Sequence, residues 1–111
     1  MFRIVAAAVL LAGSASLALA ATDEELRSQI VGSWGQDASC GTGRLTFNAD
    51  GTFTLARPDR SQGGTWSIAG GMLSGTASDG SPRPDVGLSF EADTMIFKFG
   101  KQEDRFARCA S

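Results

Sequence analysis

Between Leu45 and Arg108 the chain consists of short runs in which apolar and small polar residues alternate, each closed by turn residues. A period of two places every second side chain on one face of a strand, so the pattern predicts half-buried antiparallel β-strands. Leu45 and Phe47 alternate with Thr46 and Asn48, and Phe53 and Leu55 with Thr52, Thr54 and Ala56. Trp66 and Ile68 follow, then Met72-Leu73-Ser74, then Val86, Leu88 and Phe90, then Met95, Phe97 and Phe99, and a last run around Arg105 to Arg108. Gly51, in the Asn48–Gly51 turn, can take positive φ, and Ala69-Gly70-Gly71 makes the next tight turn. These runs make seven strands, or eight if Gly32 to Asp37 is extended. That number closes into a small up-and-down barrel, which removes exposed edges.

A short helix is expected before the strands. Thr22 can cap it, with Glu25 three residues on completing a capping box. Asp23 and Glu24 suit the positive end of the helix dipole, Leu26 and Ile30 share one face, and Gly32 marks a stop.

Residues 1–21 read as a secretory signal peptide. Arg3 gives a basic start, Ile4 to Leu19 is mostly apolar, and Ala18-Leu19-Ala20 supplies the small-x-small cleavage pattern. Leu11-Ala12-Gly13 resembles the opening of a lipobox, but Ser14 stands where lipid attachment requires Cys, so no membrane anchor is expected. The remaining residues, 22–111, form a single domain that is periplasmic or secreted. Arg3 is the only charged residue of the leader; of 10 basic and 12 acidic residues the rest carries 9 and 12, a net charge of −3. That balance argues against a nucleic-acid partner. Cys40 and Cys109 are the only cysteines, and in an oxidising compartment two thiols of a small domain pair. The bond would contribute about 4 kcal/mol through chain entropy. The strand count, however, puts Cys40 and Cys109 at opposite barrel ends. Either Gln36 to Gly43 reaches back along a strand, or strand stagger helps, or the count is off by one.

The order of motifs resembles a known family. Gly32-Ser33-Trp34 follows the short helix, then comes Leu45-Thr46-Phe47-Asn48-Ala49-Asp50-Gly51-Thr52-Phe53, then Gly64-Thr65-Trp66-Ser67-Ile68 with Gly70-Gly71-Met72-Leu73. This is similar to small bacterial secreted lipocalin-like domains, over roughly residues 26 to 76. The family often ends on an aromatic-x-basic strand, where Phe106-Ala107-Arg108 would sit; this chain has no Tyr. The resemblance implies a barrel able to hold a small apolar molecule. Ser61-Gln62-Gly63-Gly64 also resembles the Ser-x-x-Gly segment of small periplasmic lysozyme inhibitors, although the aromatic residue after it, Trp66, is displaced and of another type.

Catalysis is hard to build from these residues. The chain has no His, the usual base near neutral pH, and its two cysteines are expected to be paired. Asp59, Asp79, Asp85, Glu91 and Asp93 read as solvated turn residues, and no metal-ligand or cofactor pattern is present. The large rings either fill the barrel or line a lumen. In the second reading Trp34, Phe53, Trp66, Phe97 and Phe106 touch a ligand, and Arg108, on the face of Phe106 and Asp104, meets the carboxylate of an apolar acid. In the first, Arg108 sits at the barrel mouth or pairs with Asp104. Two longer loops, Arg57 to Gly64 and Thr76 to Asp85, are expected at one end with the turn at Lys101, gathering Arg57, Arg60, Arg83 and Lys101 into a recognition rim. The expected function is therefore non-enzymatic binding of a small apolar ligand or an envelope partner. The alternative is inhibition of an envelope-active hydrolase such as lysozyme.

Overall fold

The computed structural model describes residues 21–110, so the expected leader peptide lies almost entirely outside the described residues. Helix α1 (Asp23–Ile30) is followed by eight strands: β1 (Gly32–Gly35), β2 (Arg44–Phe47), β3 (Thr52–Arg57), β4 (Arg60–Ala69), β5 (Met72–Ala77), β6 (Pro82–Glu91), β7 (Thr94–Phe99) and β8 (Gln102–Arg108). Each pairs antiparallel with the next, and β8 pairs with β1 through Arg108 with Trp34 and Ala107 with Gly35, so the meander closes as a barrel. The eighth strand is the run from Gly32 and stops at Gly35. Among the described residues no helix is long and apolar enough to cross a membrane.

α1 closes one end of the barrel. The Thr22 hydroxyl accepts from the Glu25 amide at 3.1 Å, and the Thr22 amide donates to the Glu25 carboxylate at 2.8 Å, which completes the expected capping box. Leu26 and Ile30 are buried and join Trp34, Phe47, Phe53, Ile68, Leu73, Leu88 and Met95 in one apolar core. Each of the two helix side chains contributes about 1.5–3 kcal/mol by leaving water. Polar contacts fix the helix at both ends. Asp23 accepts from the Gly70 and Gly71 amides, each at 2.9 Å, and Arg27 donates to the Ile68 carbonyl at 2.8 Å. Gly70 and Gly71 both have positive φ, as the two-residue turn between β4 and β5 requires, and this aims their amides at Asp23.

The Cys40–Cys109 disulfide is present, with a Cα–Cα distance of 5.7 Å. The expected separation of the two cysteines disappears because β1 is only four residues long. After Gly35 the chain turns back over the outside of β1 and lays the Cys40 sulfur against Gly35, where any side chain would collide. The chain after β8 meets it: the Cys109 amide donates to the Ser33 carbonyl at 2.9 Å and the Ala110 amide to the Ala38 carbonyl at 2.8 Å. Of the three explanations considered from sequence, the returning segment is the one observed. A disulfide of this kind suits an oxidising compartment outside the cytosol.

The two long loops expected at the far end are instead mostly strand. β3 and β4 continue until Arg57 pairs with Arg60 across Pro58-Asp59, and Thr76 pairs with Pro82 across a short turn. Gln62-Gly63-Gly64 and Pro82-Arg83-Pro84 carry no apolar alternation, so sequence periodicity alone could not extend these strands. The ladder absorbs the prolines through a register shift between Leu73 and Gly75.

Candidate functional site

The barrel interior has two unlike halves. Around α1 it is packed solid: Trp34, Ile30 and Met95 are fully buried. Toward the opposite end it opens into a cavity of about 190 Å³. Phe47, Phe53, Trp66 and Leu73 form the part next to the core, while Leu45, Leu55, Val86 and Phe97 line the walls further out. Register explains this set. Phe47 faces Phe53, Leu45 faces Leu55, Trp66 faces Gly75, and Leu73 faces Val86, so alternate residues of β2 to β6 turn to the same lumen. Gly75, opposite Trp66 in the ladder, leaves space in the wall beside Arg83, whose Cγ lies 3.6 Å from where a Cβ would be. Ser74, Gly75, Pro84 and Arg83 complete the lining, and Arg83 is its only charged side chain.

Two close contacts fix the rings. Phe47 and Trp66 meet edge to face at 5.7 Å between centroids, and Phe97 and Phe106 pack at 4.9 Å. The Trp66 indole donates to the Thr52 carbonyl at 3.0 Å and the Asn48 carbonyl at 3.1 Å, which holds the half-buried ring against the end of the β2–β3 hairpin. The Phe53 ring presses on Gly64, where a Cβ would fall 2.7 Å from it.

The residues expected to touch a ligand therefore divide. Phe53, Trp66 and Phe97 line the cavity; Phe106 stands behind Phe97; Trp34 and Arg108 lie at the other end. Arg108 does share the inner face with Phe106, since it faces Trp34 across β1, but its guanidinium is engaged with α1. It donates to the Gln29 carbonyl at 2.9 Å and the Val31 carbonyl at 3.3 Å, and lies 4.2 Å from the Trp34 ring centroid. The Trp34 indole in turn donates to the Ile30 carbonyl at 2.9 Å. The stacked pair thus satisfies three carbonyls left over at the helix C-terminus, where positive charge is also favoured by the dipole. The ion-pair partner of Arg108 is Asp93, at 3.7 Å, and not Asp104. No sequence signal points to this role, because it depends on where the helix docks.

The expected rim residues also divide. Arg57, Arg60 and Lys101 are exposed at the open end, on strand ends and turns rather than long loops, whereas Arg83 reaches the cavity wall. Sequence reasoning missed Phe47 and the aliphatic members of the lining, Leu45, Leu55, Leu73 and Val86, although alternation placed them on inner faces.

Acidic groups cluster in turns. Asp37, Asp50 and Asp79 each accept from a hydroxyl and an amide two residues on, at Ser39, Thr52 and Ser81. These bonds hold the three carboxyls below their ordinary value, the hydroxyl bond being the larger cause in each case. Among the described residues no group of three or more His, Cys, Asp or Glu side chains could hold a metal ion.

The architecture is that of a closed eight-stranded antiparallel barrel, plugged at one end by a helix and hollow at the other. No protein-family model, no curated protein and no solved structure matches the chain.

Proposed function

We propose that this protein is an exported, lipocalin-like binding domain that carries a small apolar ligand in the open half of its barrel, in the periplasm or outside the cell, without catalysing a reaction. The observation that carries this reading is the 190 Å³ cavity, whose lining is almost wholly apolar and includes four aromatic rings. A pre-formed apolar hollow with few polar groups is the usual form of a small-molecule site. Maintaining it forgoes packing contacts that a filled core would make, at about 24 cal/mol per Å³ of empty space. The inhibitor alternative needs a surface element that inserts into an enzyme. Among the described residues the open-end turns between β3 and β4, β5 and β6, and β7 and β8 are short, and the longer segment from Gln36 to Gly43 is folded back under its disulfide. This arrangement favours binding within the barrel.

The test is fluorescence titration with an environment-sensitive apolar dye, comparing the parent with Gly75→Val. The added methyl groups crowd the cavity wall beside Arg83, so the variant should remain folded and lose most dye binding. A folded Gly75→Val variant that binds as the parent does would place the site elsewhere. A parent that binds no apolar dye, and retains no small molecule in native mass spectrometry after purification from its own source, would end the proposal.

A further inference from the structure

We infer that the ligand is a small monocarboxylic acid with an apolar body, and that Arg83 is the residue that selects it. The inference rests on the binding-domain reading and adds its chemistry. Arg83 is the one charged side chain in the lining. Its aliphatic stem runs beside Gly75, with Cγ 3.6 Å from where a Cβ would be, so the lack of a side chain there lets the arginine lie along the wall. The ion pairs among the described residues are Lys98–Glu103, Arg105–Glu91, Arg105–Glu103 and Arg108–Asp93, and none involves Arg83. Asp85, two residues on, forms no ion pair with it, and Asp79, four residues before, feels the Arg83 charge but is bonded to the Ser81 amide and hydroxyl at 2.8 and 2.6 Å. A guanidinium at the wall of an apolar hollow, with its hydrogen-bonding fork unpaired by protein, matches a planar carboxylate in both charge and shape.

Size narrows the class. A dry cavity of about 150 Å³ accepts benzene. One of about 190 Å³ holds a somewhat larger body, a medium-length alkyl chain or a single substituted ring, and not a long-chain fatty acid. Charge narrows it further. Arg83 is the one charged group in the lining, so it neutralises a single carboxylate, and a second negative group would stand unpaired in an apolar hollow. One carboxylate against Arg83 is the arrangement this site accommodates.

The probes are octanoate, its neutral counterpart octan-1-ol, and hexadecanoate, each titrated calorimetrically into the leaderless oxidised protein, with the apolar dye as a control for the cavity. Octanoate should bind about tenfold tighter than octan-1-ol, the lower end of what a charge-assisted hydrogen bond contributes, because Arg83 is at the exposed edge of the site. Arg83→Ala and Arg83→Gln should abolish that preference, so that within each variant octanoate binds no tighter than octan-1-ol. Arg60→Ala, a charge loss on the neighbouring turn, should leave the preference intact. Hexadecanoate should bind more weakly than octanoate. Equal binding of octanoate and octan-1-ol in the parent, or a preference that survives both Arg83 variants, would overturn the acid inference while leaving the apolar site standing. Tighter binding of hexadecanoate would overturn the size limit. Failure of dye and alcohol together would instead remove the binding-domain reading beneath it.

Discussion

Replacing Arg108 with Ala should destabilise the fold and leave the cavity untouched. The guanidinium makes two hydrogen bonds to helix-terminal carbonyls, stacks on Trp34 and pairs loosely with Asp93. A hydrogen bond to a charged group contributes about 1.5–3 kcal/mol. Both bonds need discounting here, because the side chain is 37% exposed and water can replace part of what it donates. The longer bond, at 3.3 Å, counts for less than the one at 2.9 Å. Stacking on Trp34 adds about 0.5–1 kcal/mol. The pair with Asp93, whose side chain is 87% exposed, adds close to nothing. The expected cost is therefore about 2–3 kcal/mol. For a domain of this size that lowers the melting temperature by roughly 8–24 °C. Urea unfolding followed by tryptophan fluorescence reads the free energy directly. Arg108→Lys should recover less than half of the loss, since an ammonium neither forks across two carbonyls nor stacks as a guanidinium does. Hydrogen exchange should show the largest loss of protection in α1. A cost below about 0.5 kcal/mol would refute the helix-clamp argument, and so would a selective loss of octanoate affinity at unchanged stability.

Three further outcomes are expected. Removing the disulfide as the Cys40→Ala, Cys109→Ala double variant should cost about 2–5 kcal/mol in urea unfolding, and non-reducing peptide mapping of the parent should find the two residues linked. Gly64→Ala should cost about 1–3 kcal/mol, because the methyl group would strike the Phe53 ring and the Thr76 carbonyl; a neutral substitution there would contradict the close approach of these groups. Stability should fall in acid. Asp23, Asp37, Asp50 and Asp79 titrate below their ordinary value of 3.8, Asp23 chiefly because of the Gly71 amide and then that of Gly70, so the folded form binds fewer protons. A depressed folded pKa contributes stability that is fully present above the unfolded value and is lost as pH falls through the folded one. Melting temperature should be flat with respect to these groups near neutrality and decline below about pH 4. Asp50→Asn should reduce the slope of that decline, and an unchanged slope would discount its turn as a contributor.

Legibility differed between levels of structure for definite reasons. The helix, its capping box and the inner faces of β2 to β8 follow from local rules, since hydroxyl caps and alternating side chains depend only on neighbours along the chain. Closure of the barrel follows nearly as directly, from the number of strands and the need to remove edges. The ends of the strands were not legible. Glycine and proline between Gln62 and Pro84 read as loop, yet pairing with β3 holds Gln62-Gly63-Gly64 in the ladder and pairing with β5 holds Pro82 and Arg83.

The site depended on tertiary structure throughout. Arg83 and Arg108 are both arginines on alternating strands, and nothing in either local pattern separates them. Docking of α1 over one end brings three helix carbonyls to Arg108 and Trp34, so the residue that looked like an acid receptor became part of the plug. The other end has no helix, and the Phe47–Trp66 and Phe97–Phe106 ring pairs there do not fill the lumen; a hollow remains, with Arg83 at its edge. Composition settled that the interior would be apolar and aromatic. Whether it would be solid or hollow, and which arginine would face the hollow, was set by how the long strands and the helix divide the barrel's length, because packing is a property of side chains brought together from distant parts of the chain.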